Sequence, residues 1–397
     1  MADNKMTTVC FTAMDTWFFR ETRPHDATGA SELNSLFPPP MRTLLGAVRS
    51  FIGESIKIDW QAYSQGDGTA HSIDGLDFKA AVGDSENLGE LSVRGVFINK
   101  NKQRLYPVPF YLMHKEDELI RLQIGNTVEC DLGDVRLPEL PEGKKGFKNM
   151  EQSWIDSQGM QALLKGKQLP DKKQIYSQKQ LVTPEARLGI ARNNETRSVI
   201  EGQLYQTRHI RLADDVKIEL NLQGLDEKLA EKLKQNDIVR LGGEGRMASL
   251  SVSQMLEKMP FIKTNTAPLT KIILHFISPA YFDGEMFPAE FVKKTVGEQT
   301  VWQGTLEGIE LAIEAAVIGK VHREGGWDMQ KHQPRSVKSY IPAGSAWFCT
   351  VLDNSLTSAE VVQALHEKCI GQEQQWGRGQ ILIGQWIDKQ GDTNDSK

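Results

Sequence analysis

The chain has 397 residues, 39% of them apolar and 25% charged, enough for two globular domains of ordinary size. A net charge of -5 withholds the overall basic signature of a nucleic-acid binder, so any RNA reading must rest on local patches. Four widely spaced cysteines (Cys10, Cys130, Cys349, Cys369) with no CxxC argue against a disulfide framework and a zinc ribbon, and favour a reducing cytoplasm.

The start MADNKMTTVC lacks a signal-peptide pattern, and no apolar run approaches a membrane span. TTVCFTAMDTWFF (Thr7 to Phe19) is rich in β-branched and aromatic residues and predicts the first strand, followed by a polar loop through Ser35. In FPPPMRTLLGAVRSFIG the prolines suit a first turn. Leu44, Leu45, Val48, Phe51 and Ile52 then recur at helical spacing, which predicts a helix from about Met41 to Ile52.

Leu91 to Ile98 reads as a strand, and RLGIARNNETRSVIEGQLYQTRHIRL (Arg187 to Leu212) as two extended segments around RNNET, a long hairpin. Leu137 to Gln180, rich in Lys, Gln and Gly, is expected to be an insertion carrying only short helices. LDEKLAEKLKQ (Leu225 to Gln235) predicts a charged amphipathic helix. It leads into the glycine cluster RLGGEGRMASL, set between Ile238-Val239 and the alternating run Ala248 to Val252.

After Pro268 the order recurs. TKIILHFISPAYF predicts a strand, PAEFVKK a short helix, IELAIEAAVIGKV and SYIPAGSAWFCTVL strands, and SAEVVQALHEKCIG a helix; QQWGRGQILIGQWI then sets a glycine cluster before a last strand. Two β-α-β-β-α-β units predict an α+β fold of two tandem ferredoxin-like domains. The expected boundaries are 1–262, with insertions at about 60–90 and 137–180, and 268–390, with KTNTAPLT as linker and 391–397 as a polar tail.

Neither glycine cluster is a P-loop, since GGEGRMAS and GRGQILIG lack the Lys-Ser/Thr pair, and neither has the strand-to-helix context of a dinucleotide fold. HEKC (His366 to Cys369) offers a metal-like pair without a second half-site, and PHDATG a His-Asp dipeptide without further ligands. With no GxSxG elbow and no HExxH, no catalysis, metal or cofactor is expected.

The arginines are more informative. Between Arg187 and Arg211 five arginines (187, 192, 197, 208, 211) face two glutamates (195, 201), a net +3 interleaved with Tyr205 and His209. Such a run is usually a solvated face, but this mixture can also pair with phosphates and stack on bases. Arg42 and Thr43 fall near a helix start, where free amides favour an anion. Arg246 and Arg378 stand beside the two glycine clusters.

Five stretches in this order, FPPPMRTLLGAVRS, RLGIARNNETRSVIEGQLYQTRHIRL, RLGGEGR, GGWDMQKHQPRSVKSYIPAGSAWF and WGRGQILIG, resemble the RAMP-superfamily third subunits of the Cmr module of type III-B CRISPR effector complexes. The resemblance implies two RRM-like folds, no catalytic role, no membrane, and a cytoplasmic ribonucleoprotein. It implies a grip on the 5′ handle of the guide RNA, beside the large polymerase/cyclase-like subunit and a backbone RAMP subunit. It points to Arg42, Thr43 and Arg49 for the guide backbone and to Gly242, Gly243, Gly245 and Arg246 for the glycine-rich loop. Arg187, Arg192, Arg197, Arg208, Lys338 and Arg378 complete the candidate RNA-binding set. Segments 64–90 and 137–180 match no motif of the family. Two rivals stand beside this reading: a RAMP endoribonuclease acting on precursor guide RNA with His25 as acid or base, and an assembly module that binds no RNA.

Overall fold

The computed structural model describes residues 6–21, 32–65, 72–73, 76–193, 195–234, 237–253, 257–329 and 331–387. His25 and the expected tail at 391–397 lie outside the described residues. The fold is α+β and strand-rich, with several antiparallel sheets and few helices among the described residues.

In chain order the elements used below are β1 (Met6–Ala13), β2 (Glu32–Asn34), α1 (Met41–Ser55), β3 (Ser92–Lys100), β4 (Gln103–Pro107), β5 (Gln123–Cys130) and β6 (Gly133–Glu139). There follow β7 (Ser153–Asp156), α2 (Ser157–Leu164), β8 (Ile175–Ser177), β9 (Val182–Arg192), β10 (Val199–Leu212), β11 (Val216–Gln223), α3 (Glu227–Leu233), β12 (Asp237–Arg240) and β13 (Met247–Ser253). The remainder are β14 (Lys271–Phe276), β15 (Val292–Val296), β16 (Gln299–Leu306), β17 (Ile309–Val317), β18 (Trp327–Asp328), β19 (Gln333–Pro334), β20 (Ala346–Val351), α4 (Ser358–Leu365) and β21 (Ile381–Gln385).

The chain divides into two units, Met1–Lys102 with Lys179–Leu256 and Arg323–Lys338, and Gln103–Gln178 with Glu257–His322 and Ser339–Lys397. In the first unit β1 is central. Val9 and Phe11 have no exposed surface and pair with Leu220 and Ile218 of β11 on one side and with Val252 and Leu250 of β13 on the other. The sheet order is β3-β11-β1-β13-β12, all antiparallel. Helix α1 buries Leu44, Leu45, Val48 and Ile52 of the stripe its sequence spacing predicts, leaves Phe51 half-buried, and packs on α3 and β11. The predicted hairpin is present: β9 and β10 pair from Val182↔Leu212 to Arg192↔Val199, and β2 adds to β10 in parallel.

In the second unit the sheet order is β15-β16-β17-β20-β14-β21, antiparallel throughout. Helix α4 lies between β20 and β21 in the chain and opens on a capping box, Thr357 and Glu360 satisfying each other's backbone amides. The core gathers on Trp347, with no exposed surface, its ring edge-on to Phe276 at 4.7 Å and to Phe287 at 5.3 Å.

Three expectations change. PAEFVKK is not a helix: the Phe291 amide closes a turn onto the Pro288 carbonyl at 2.9 Å, and the chain continues as the edge strand β15. Val292, Thr295 and Val296 are β-branched and every residue of β15 is exposed, so no apolar stripe supports a helix. Helix α4 stops at Leu365, which leaves HEKC beyond its end. Of residues 137–180, expected as an insertion in the first domain, 137–178 fall in the unit of the C-terminal sheet and bring core of their own. Trp154, Ile155, Met160, Leu163 and Leu164 of β7 and α2 are buried, and β7 pairs with β4 and β8. Two polar bonds tie 103–178 to that sheet, Arg136 Nη1 to Glu314 Oε2 at 3.0 Å and Tyr111 Oη to His275 Nε2 at 2.8 Å.

Candidate nucleic-acid interface

After β1 the chain leaves its sheet and is stitched to two distant segments. The Trp17 and Ile210 amides and carbonyls bond each other at 2.8 Å, Trp17 Nε1 donates to the Met247 carbonyl at 3.0 Å, and the Gly243 amide donates to the Phe18 carbonyl at 2.8 Å. This sets residues 15–18 between hairpin β9–β10 and the glycine cluster. The cluster is the turn joining β12 to β13, closed by the Leu241 amide on the Arg246 carbonyl at 2.8 Å.

Its glycines do different things. Gly242 has φ +90°, and a Cβ there would stand 2.7 Å from the Phe18 carbonyl oxygen. Gly243 has ordinary φ, and its Cβ would sit 3.2 Å from Phe18 Cδ1. Gly245 has φ +65° with nothing within 4 Å of its Cβ position. The first two therefore permit approach to the protein's own backbone and ring, and Gly245 alone faces open space.

Register brings the charges together. On an antiparallel pair alternate residues share a face, and with Glu185 opposite His209 and Arg187 opposite Thr207, the side chains of Glu185, Arg187, His209 and Arg211 do so here. Asp15 is their hub. Its Oδ1 accepts from Arg211 Nη2 at 2.9 Å, and its Oδ2 from Arg187 Nη2 at 3.3 Å and Arg246 Nη1 at 3.2 Å. Glu185 accepts from Arg211 at 2.8 Å and from Arg187 at 2.5 Å. The Arg211 hydrogen bonds hold both carboxyls below the usual carboxylate range and push Arg211 up.

His209, with no exposed surface, stacks on Phe18 at 5.2 Å, and its Nδ1 shares a hydrogen bond with Thr16 Oγ1 at 3.1 Å. Burial first, then Arg246 and Arg187, hold its pKa below the ordinary histidine value, so the ring is neutral at pH 7. Its Nε2 stands 3.8 Å from Glu244. Arg187 Nε, Arg246 Nε and His209 Nε2 are buried without a hydrogen-bond partner, and buried polar groups ordinarily have one. Farther out on this face, a side chain on Gly189 would collide with the Tyr205 ring, so the glycine is where that ring lies across the hairpin.

The remaining expected residues fall elsewhere. Arg208 is on the opposite face of β10, paired with Glu32 at 2.5 Å. Arg197 is exposed in the hairpin loop with φ +55°, and the Arg192 side chain lies outside the described residues. Arg49 donates Nε to the Val82 carbonyl at 2.6 Å, Nη1 to that of Asp84 at 2.6 Å and Nη2 to that of Asn87 at 3.0 Å. It thus clasps the 82–87 loop, and burial lowers its pKa to about 10. Arg42 reaches the Ser85 carbonyl of the same loop at 3.5 Å. The Thr43 amide is bonded to the Pro40 carbonyl at 3.0 Å, inside the first turn of α1. Lys338 is half-buried at the end of segment 323–338.

Arg378 is 5% exposed in the second unit, its guanidinium carbon 4.7 Å from the Tyr340 ring centre. A side chain on neighbouring Gly379 would collide with the Ile370 carbonyl. WGRGQ is therefore a packed loop, unlike the first cluster, and Arg378 as placed meets a ring rather than solvent. His366 is buried too, its Nδ1 accepting from the Ile383 amide at 3.1 Å, and among the described residues no three metal-ligating side chains come together.

Sequence reading missed Asp15 and Glu185. Glu185 was within reach of the strand alternation, but Asp15 is brought in by tertiary stitching that no local pattern encodes.

Among solved structures, the chain resembles one from a type III-B Cmr-beta complex bound to cognate target RNA, at 17% identity and TM-score 0.45 over 86% of each chain. It also resembles a chain of a Csm3-Csm4 subcomplex of a type III-A CRISPR-Cas interference complex, at 10% identity and TM-score 0.35, covering 96% of this chain and 99% of that one. No curated protein matches. The profile described as CRISPR-associated protein (Cas_Cmr3) matches residues 9–386, and across that span the chain belongs to the Cas_Cmr3 family.

Proposed function

We propose that this chain is a non-catalytic subunit of a type III-B CRISPR effector complex in the cytoplasm, holding the 5′ handle of the guide RNA and bridging the large polymerase/cyclase-like subunit to a backbone RAMP subunit. The observation that carries the RNA-binding part is the meeting of Arg187, Arg211 and Arg246 at the glycine turn, with two of their Nε–H groups unanswered. Asp15 and Glu185 pre-position these forks. An RNA phosphate would then meet guanidiniums whose side-chain entropy is already lost and a turn whose Gly245 leaves the approach open.

Tandem ferredoxin-like domains are part of the same proposal. Supporting them are the orders β13-β1-β11-β3 and β21-β14-β20-β17, each the 4-1-3-2 arrangement of a β-α-β-β-α-β unit, the second with a hairpin strand in place of its first helix.

The test is reconstitution of the complex with guide RNA across a salt series. Arg187→Ala with Arg246→Ala should weaken guide retention and make the salt slope shallower by roughly 0.7 for each phosphate left without its arginine. Asp15→Asn, which removes a competing anion, should do the reverse. Unchanged slopes in both variants would remove this cluster from the RNA path. Repeat-RNA cleavage by the purified chain would overturn the non-catalytic assignment.

A further inference from the structure

Segment 323–338 of the first unit carries Arg323, Lys331, Arg335 and Lys338 against Glu324 and Asp328. Both acids are turned inward, 8% and 3% exposed. Strands β18 and β19 set Trp327 opposite Pro334 and Asp328 opposite Gln333. The Asp328 carboxylate accepts from the Lys331 amide at 3.0 Å and pairs with Arg335 Nη2 at 2.8 Å, and the Arg335 amide donates to the Gly326 carbonyl at 2.9 Å. A buried, charge-assisted carboxylate thus fixes the shape of a very short hairpin.

What this hairpin holds out is a Trp327 side chain 55% exposed, flanked by the still more exposed Met329. An indole in water forgoes one of the largest burial gains available to a side chain. Around it stand exposed Arg323 and His332, and Lys331, which also pairs with Glu86. In a chain of net charge -5, this hairpin buries Glu324 and Asp328 and keeps Arg323 and Lys331 at the surface beside an aromatic face. That combination suits a single-stranded polyanion with bases, where a ring takes a base and cations follow the backbone. A protein partner would be served by the ring and Met329 alone and gives no use for the exposed Arg323 and Lys331 beside them.

We propose that Trp327 is a stacking platform for one unpaired nucleotide of a single-stranded RNA. The proposal rests on the guide-handle reading above, and the experiment separates the two. The probe is a single-stranded RNA oligonucleotide of the handle sequence carrying 2-aminopurine, titrated into the full-length chain and into the assembled complex.

Trp327→Ala should weaken binding about tenfold, as expected when one base stack is removed. It should also relieve quenching of the reporter base and leave the salt slope and melting temperature unchanged. Trp327→Phe should keep most of the affinity. Normal affinity and quenching in Trp327→Ala, while the Arg187/Arg246 double variant weakens binding, would overturn this inference and spare the handle reading. Normal binding in both variants would overturn the two together. Normal RNA binding with loss of a neighbouring subunit from the complex would assign Trp327 to a protein interface instead.

Discussion

Glycine at 242, 243 and 245 illustrates how much one residue type conceals. The sequence marks all three as freedom for backbone, but only the neighbours distinguish a glycine pressed on Phe18 from one facing open space. Alanine at 242 must take a left-handed φ against a carbonyl oxygen, so Gly242→Ala should cost about 1–3 kcal/mol in urea unfolding. Gly245→Ala, strained in φ alone, should cost about 1 kcal/mol, and Gly243→Ala within about 0.5 kcal/mol. Gly245→Asn tolerates that φ while placing a side chain in the open space, so near-normal stability with weaker guide retention is the expected pair of results. Equal losses at all three positions would contradict this division of roles. Arg49 teaches the converse: charge and place on a helix suggest a phosphate ligand, yet its geometry fits the carbonyls of the 82–87 loop.

Elements with long, regular patterns were legible. Helix α1 and hairpin β9–β10 stand where spacing and turn residues put them, because their apolar faces decide their own conformation. PAEFVKK was not, since five exposed residues carry little periodicity and the pairing of β15 with β16 overrides local preference. Helix α4 is short, at eight residues, and leans on its ends. Thr357 accepts from the Glu360 amide at 3.3 Å while Glu360 accepts from the Thr357 amide at 2.9 Å. Thr357→Ala should therefore lower stability by about 1 kcal/mol, with Thr357→Ser close to the parent in thermal unfolding. A helix held by side-chain packing alone would show no difference between the two.

For the whole molecule, acid sensitivity follows from two buried histidines. Burial lowers His275 to about 3 and His366 to about 4, from an ordinary 6.5. The unfolded chain takes up these protons near pH 6.5 while the folded chain resists until far lower pH. Stability is therefore full above about pH 6.5 and lost as pH falls towards the folded values, each histidine adding a slope of up to about 1.4 kcal/mol per pH unit. Denaturation at about pH 7 and about pH 5 should show that loss, and His366→Gln should flatten the slope. A level profile over this range would mean neither ring stays neutral as described. Composition and charge foreshadow none of this, since burial of a histidine is set by the completed core.

The alternation of the chain between its two units, at 102, 178, 256, 322 and 338, bears on how the protein is made. During synthesis the first unit lacks its last piece until residue 338 has emerged, and residues 103–178 wait for β14, β17 and β21 before their buried side chains find cover. Completion of both units is thereby expected only late in synthesis, and a nascent chain arrested near the 263–270 linker should bind a holdase chaperone rather than present a finished domain. Protease resistance of such an arrested chain, equal to that of the full-length protein, would refute the delay.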